Sequence, residues 1–225
     1  MSAGAVQLPK ITEGFLGPQA KFQAYGLNLV SHSQPIIYMQ EDQPEVEIIL
    51  GTKSEIRITV KLVSYERKKE CTEYCLVRCI GNNFLFLIRP PLPGFYKCQI
   101  YALPKDEAGP QLLGVYNYLI HFPGNFEDRP FPKQYPMWRD GCYLEEPLSL
   151  PRGIKDPMVR FKVVVPKAND VQVKVGEEWN PLQETEPDTF EGFVDFNTGY
   201  APGSKAKLNA RFVGNNYHTL LEYSL

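Results

Sequence analysis

Stretches of alternating polar and apolar residues recur along the chain and predict β-strands. Residues 55–62 read EIRITVKL, a period of two that places the apolar side chains on one buried face. Residues 170–175 read DVQVKV and follow the same pattern. Further apolar or alternating runs lie at residues 35–39, 46–50, 74–80, 84–88, 95–102, 112–122, 158–165, 188–196, 205–213 and 217–223.

Turn-forming residues separate these runs, as in GNN at 81–83, PPLPG at 90–94 and KDEAGP at 105–110. No stretch of a dozen residues combines a 3.6-residue apolar period with caps, so little helix is expected. Short strands at this spacing predict an all-β protein of two tandem immunoglobulin-like β-sandwich domains. Neither half has the Cys…Trp…Cys pattern of an antibody domain.

The two halves of the chain repeat one another. At an offset of 115 they match without a gap from Gly26 and Gly141 to Val60 and Val175. The offset falls to 109 at the Pro-Gly pairs 93–94 and 202–203, and to 105 at Tyr118 and Tyr223. Chance alternation would align some valines at any even offset, but the shared glycine and Pro-Gly positions favour a repeat.

The repeat predicts four segments. Residues 1–14 are expected to form an N-terminal tail, 15–122 the first sandwich, 123–130 a linker and 131–225 the second sandwich. The linker region is rich in proline and aromatic residues, so we expect it to be short, stiff and packed against one or both modules.

Composition and charge exclude several function classes. The 24 Lys and Arg against 26 Asp and Glu give a net charge of −2. The protein therefore has no overall positive electrostatic potential that would attract nucleic acid. No run approaches about 18 apolar residues, and the first ten residues lack the pattern of a secretory signal. We therefore expect a soluble, cytoplasmic protein without membrane insertion. The odd number of cysteines, 5 in all, favours free thiols.

Three cysteines form the most suggestive cluster. Cys71, Cys75 and Cys79 are spaced by four, which would bring three thiols within reach of a metal on a helix. The surrounding residues favour a strand instead, where the outer two lie about 13 Å apart. No second cysteine pair accompanies them, so we predict core packing and no metal. No phosphate-binding glycine loop and no HExxH are present, so no cofactor is predicted.

A catalytic cysteine would need a histidine beside it, and the chain has three histidines: His32, His121 and His218. None lies in a known local signature. A cysteine-dependent enzyme, in which Cys98 or Cys142 meets a histidine across the fold, remains an alternative. The first hypothesis has no catalytic residue.

Three residues are candidates for contact with a partner. His32 precedes the first full strand and is either a hydrogen-bonded loop residue or a contact residue. Trp138 belongs to an aromatic group at the junction, which is either a partner anchor or interdomain core. Trp179 follows a predicted strand and is the better candidate for an exposed hot spot.

Residues 21–35 (KFQAYGLNLVSHSQP), 56–62 (IRITVKL) and 93–102 (PGFYKCQIYA) resemble a known family. They are similar to the immunoglobulin-like modules that follow the transglutaminase-like domain in kyphoscoliosis peptidase and hillarin. The resemblance implies a cytoskeletal association. The family's Cys–His–Asp core lies on a separate domain, for which this chain has no segment to spare, so the resemblance implies an accessory or interaction role rather than peptidase activity.

These observations predict a non-enzymatic pair of modules that binds another protein, cytoskeletal if the resemblance holds. The alternative is the cysteine-dependent enzyme, transglutaminase- or peptidase-like, or an accessory fragment of one. The identity of the partner and the oligomeric state stay open.

Overall fold

The computed structural model describes residues 6–109, 111–150, 157–196, 200 and 203–225. In the first half the strands are β1 Gly17–Pro18, β2 Leu27–Leu29, β3 Ile36–Tyr38, β4 Val46–Thr52, β5 Ile56–Ser64, β6 Cys75–Ile80, β7 Asn83–Ile88, β8 Gly94–Pro104 and β9 Leu113–Phe122, with a 3-10 helix η1 at Thr72–Tyr74. In the second half they are β10 Lys133–Gln134, β11 Tyr143–Glu146, β12 Met158–Val164, β13 Asp170–Val175, β14 Glu178–Glu186, β15 Thr189–Asp195, β16 Lys205–Arg211 and β17 His218–Ser224, with a 3-10 helix η2 at Pro136–Arg139. The described residues contain no α-helix, and no helix among them is long and apolar enough to cross a membrane.

The first half is a sandwich of two sheets. One has the order β2-β4-β7-β6, and the other β1-β9-β8-β5, with β3 added in parallel to β9. The order β2-β4-β7-β6 facing β9-β8-β5 is that of immunoglobulin sandwiches, in which four strands face three, and β1 and β3 are additions to the second sheet. The alternation predicted for β5 is observed, because Ile56, Ile58, Val60 and Leu62 are all buried.

A buried tyrosine gives the first sandwich a second immunoglobulin feature. The hydroxyl of Tyr96, at the start of β8, donates to the Leu92 carbonyl at 2.6 Å and accepts from the Leu92 N–H at 3.2 Å. Tyr96 lies two residues before Cys98, the arrangement known as a tyrosine corner. Burial raises the pKa of the Tyr96 phenol to about 12.

The second half is also a sandwich, but one strand belongs to both of its sheets. Residues 178–182 of β14 pair with β13, and residues 183–186 pair with β15. The sheets therefore join into one path, β10-β17-β16-β13-β14-β15-β12-β11. Phe161, Val173 and Leu208 are fully buried between its two layers. The predicted fold class, two tandem immunoglobulin-like sandwiches, is confirmed.

Strand pairing tests the repeat directly. Residues 46, 48 and 50 of the first half and 161, 163 and 165 of the second are all buried, as the offset of 115 requires. In the last strands the match shifts by two residues. Val60 pairs with Ile100, which pairs with Tyr116, whereas Val175 pairs with Ala206, which pairs with Tyr223. Tyr223 therefore corresponds to Tyr116, not to Tyr118.

The strands absent from the sequence analysis are the short ones, β1, β2, β10 and β11, and the longer β14. Only Leu182 of β14 is buried, and the strand contains Pro181. Because β14 is exposed along most of its length and buries a single side chain, it carries no alternating pattern to detect.

Candidate interaction surface

The outer edge of β6 in the first sandwich is closed by the second half of the chain. The Gln134 side chain acts as a substitute for a peptide group, since its Oε1 accepts from the Val77 N–H and its Nε2 donates to the Cys75 carbonyl, each at 2.9 Å. Further along, the Cys79 N–H donates to the Cys142 carbonyl at 2.9 Å. The backbone groups that an edge strand would offer to another chain are occupied here.

Trp138 completes this closure. Its indole Nε1 donates to the Val77 carbonyl at 2.7 Å, and its side chain is fully buried. The ring packs in the core of the second sandwich, which also takes in Leu76 and Leu87 of the first. The interdomain alternative is therefore correct for Trp138, and its candidacy as a partner contact is corrected, because a buried ring presents no surface to a partner.

Arg78 crosses the same junction. It is 8% exposed, forms an ion pair with Glu47, and stacks its guanidinium 4.7 Å from the centre of the Tyr143 ring. Its Nη1 also donates to the Leu144 carbonyl at 3.4 Å. The residues predicted as a linker also contact the first sandwich, since the Arg129 carbonyl accepts from Arg89.

The cysteines are buried in apolar surroundings. Burial raises the pKa of Cys71 and Cys79 to about 11 and that of Cys98 to about 12, and it also raises the pKa of Cys75 and Cys142. Thiols held in the protonated form are weak nucleophiles and weak metal ligands. No cluster in the described part of the chain has the composition of a metal site.

Two of the three histidines pack against aromatic side chains. The ring of His121 packs 4.7 Å from Phe95 and that of His218 lies 6.3 Å from Phe212. Within the described ranges no hydrogen bond joins a cysteine to a histidine. The pair on which the enzyme alternative depends is not brought together there.

His32 occupies the loop between β2 and β3 with a positive φ of 51°. Its Nδ1 lies 2.9 Å from the Ser31 hydroxyl, and its carbonyl accepts from the Tyr118 hydroxyl at 3.2 Å. Burial lowers the pKa of the imidazole. These contacts fit the hydrogen-bonded loop residue, and a role in partner contact stays a prediction.

Trp179 lies on the outer face of the second sandwich. It is 45% exposed at the start of β14, directly opposite Lys174 on β13. The Lys174 Nζ lies 5.4 Å from the Trp179 ring centre, and the Tyr217 ring lies 5.2 Å away. Gln172 donates to the Tyr217 hydroxyl at 2.8 Å, and the Arg211 guanidinium lies 6.0 Å from its ring. We call these five residues the Trp179 surface.

The chemistry of this surface suits protein recognition. Tryptophan, tyrosine and arginine are the residues most enriched among those that dominate binding energies. A hydrogen bond to Asp170 holds the Tyr217 ring in place and raises the pKa of its phenol. The sequence analysis found Trp179 but missed Tyr217, which lies 38 positions further along and reaches the indole only through the folded sheet.

The strand order, the tyrosine corner and the paired sandwiches define a class, the tandem immunoglobulin-like proteins. A family model described as KY-like, immunoglobulin-like domain matches residues 9–133, which is more than half of the 225 residues. The chain therefore belongs to the KY-like immunoglobulin-like domain family, and the resemblance inferred from the sequence is confirmed.

Other comparisons are distant. No curated protein matches the chain. Among solved structures, a tandem of titin immunoglobulin domains is 11% identical over 87% of this chain and 94% of that chain, with a TM-score of 0.24. Titin domains Z1 and Z2 in complex with telethonin are 11% identical over 88% and 95%, with a TM-score of 0.23.

Proposed function

We propose that this chain is a non-enzymatic pair of immunoglobulin-like modules that binds a cytoskeletal protein in the cytoplasm through the Trp179 surface. The observation that carries the proposal is the exposure of Trp179 beside Tyr217 on an otherwise polar sheet face. Membership of the KY-like immunoglobulin-like domain family supports an interaction role. The resemblance to kyphoscoliosis peptidase and hillarin, which are associated with the cytoskeleton, supports a cytoskeletal partner.

The arrangement of the surface favours binding at low entropic cost. The indole is held from one side by Tyr217 and from another by Lys174, so little rotamer freedom remains to be lost when a partner covers it. The cations Lys174 and Arg211 border the rings and would meet acidic or polar groups on a partner.

Fractionation of the source cell tests this proposal. The full chain, a Trp179→Ala variant and a Phe193→Ala variant would each be tagged and recovered with the detergent-insoluble cytoskeleton, and the co-purified proteins identified. Phe193 is the matched control because it is an exposed aromatic residue, 59% accessible, on β15 of the same sandwich.

We expect the wild-type chain to recover an identified cytoskeletal protein. Loss of a hot-spot tryptophan costs about 2 kcal/mol or more, so Trp179→Ala should weaken binding by about thirtyfold or more. Phe193→Ala should leave it within about twofold. Recovery of no cytoskeletal protein above background, or equal loss in both variants, would contradict the proposal.

A further inference from the structure

A cleft of about 720 Å³ lies between the two sandwiches. Glu73 from the first half, Phe131 and Pro132 after the linker, Arg139 from η2 and Leu150 line its walls. Ligand-binding clefts commonly have volumes of about 300–1,000 Å³. None of the residues of the Trp179 surface lines this cleft, so the two features are separate.

Arg139 is the unusual residue of the cleft. In the described part of the chain its guanidinium forms no hydrogen bond and no ion pair, and its Nε is buried without a partner. The Nε atoms of Arg57 and Arg78 are likewise buried without a partner, but the terminal nitrogens of both form hydrogen bonds. Two other arginines near the junction are paired, Arg78 with Glu47 and Arg89 with Glu45. Burial lowers the pKa of Arg139, as expected for a cation that has lost water and gained no acceptor.

A half-buried guanidinium presents a planar set of donors that matches a carboxylate or a phosphate. The other charges in the cleft nearly balance, because Arg129, Lys133 and Lys205 line it together with Glu73, Asp128 and Glu222. The apolar lining favours one ligand over the other. Pro130, Phe131 and Leu150 offer contact to the apolar parts of a peptide that carries a carboxylate, and a free phosphate has no such parts.

We propose that the cleft binds a short segment of a partner polypeptide whose acidic side chain pairs with the guanidinium of Arg139. The site is formed only when the two sandwiches are joined, because Glu73 comes from one half and Arg139 from the other. It adds a second point of recognition to the chain, and it holds whether or not the Trp179 surface binds the same partner.

The test uses the full chain and its arginine Nε–H NMR signals. The probe is a library of N-acetylated, C-amidated hexapeptides that each carry one glutamate, with the same library carrying glutamine as the uncharged match. Inorganic phosphate at equal concentration is the third arm. The Arg139 signal is assigned by its loss in the Arg139→Gln variant.

We expect glutamate peptides to shift the Arg139 signal saturably, and glutamine peptides and phosphate not to do so. In Arg139→Gln, binding measured by calorimetry should weaken by about tenfold or more, because a charge-assisted hydrogen bond is lost. The matched control, Arg67→Gln, removes an exposed arginine outside the cleft and should leave binding unchanged.

Thermal unfolding separates this role from a structural one. Since Arg139 has no partner among the described side chains, Arg139→Gln should keep or raise the melting temperature, whereas an arginine that held the junction together would lower it. A lowered melting temperature, equal shifts with glutamine peptides, or no shift with any peptide would overturn the proposal. A shift with phosphate alone would replace it by a simple anion site.

Discussion

The corresponding strands β6 and β14 have different surroundings in the two sandwiches. In the first, β6 is closed along its outer edge by Gln134, Trp138 and Cys142 of the second half. In the second, β14 crosses between the two sheets and presents Trp179 to solvent. The strand order is shared, so the difference arises from what each strand contacts. The second half of the chain covers β6, whereas β14 pairs with both β13 and β15 and leaves the Trp179 side chain exposed on the outer face.

The two tryptophans give the sharpest form of this comparison. Trp138→Ala removes a fully buried indole and its bond to Val77, and it should lower the free energy of unfolding by about 3–5 kcal/mol. Urea unfolding followed by circular dichroism measures the change, with Trp179 fluorescence as a second probe. A loss below about 1 kcal/mol would mean that the junction does not depend on the ring.

The glutamine that caps β6 should matter less. Gln134→Ala leaves the Val77 N–H and the Cys75 carbonyl without a partner at the junction, so we expect a loss of about 1–3 kcal/mol and faster amide exchange at Val77. Gln172→Ala is the control from the outer face of the second sandwich, and it should cost less than about 1 kcal/mol. Equal losses of stability in the two variants would show that the closed edge of β6 contributes no more to stability than the Trp179 surface does.

Alkaline pH should act on the buried thiols. The pKa of Cys98 is raised to about 12 from an ordinary value of 9.0, so the unfolded chain loses this proton first. Its contribution to stability is fully present below pH 9 and is lost as the pH rises through 12, at up to about 1.4 kcal/mol per pH unit.

Unfolding in urea at several pH values above 9 measures this slope. The Cys98→Ala variant should show a shallower decline than the wild type, although it begins from a lower stability because of the cavity left behind. Identical slopes would show that Cys98 does not contribute to the alkaline loss.

The smallest change in the free energy of unfolding is expected for a substitution in the Trp179 surface. Trp179→Ala removes an exposed ring and its contacts with Lys174 and Tyr217, and it should change the free energy of unfolding by less than about 1 kcal/mol. Chemical denaturation of the variant beside the wild type checks this. A cost near that of Trp138→Ala would show that the surface supports the fold rather than recognition.

Much of the fold could be predicted because alternation is a local property. The burial of Val171, Val173 and Val175 follows from the period of two along one strand. The same property explains why the sequence matched Tyr223 with Tyr118 instead of Tyr116. Residues two apart lie on the same face of a strand, so alternation cannot distinguish them. It also explains why β14, in which only Leu182 is buried, gave no signal.

The candidate site was less predictable. Trp179 was identified as exposed, but Tyr217 beside it and the unpaired guanidinium of Arg139 were not. Each depends on distant neighbours, and a lysine, tyrosine or arginine in a polar run looks like any other solvated residue until the sheet places it.

The sequence by itself determined most of the longer strands, their apolar faces, the repeated module and the family, because each depends on residues close together in the chain or on short motifs. The tertiary structure decided which edge is closed and which tryptophan is buried. The contacts that decide this join residues far apart, 57 positions for Gln134 and Val77 and 61 for Trp138 and Val77. Edge closure is thus a consequence of how two sandwiches meet, and no pattern within either one specifies it.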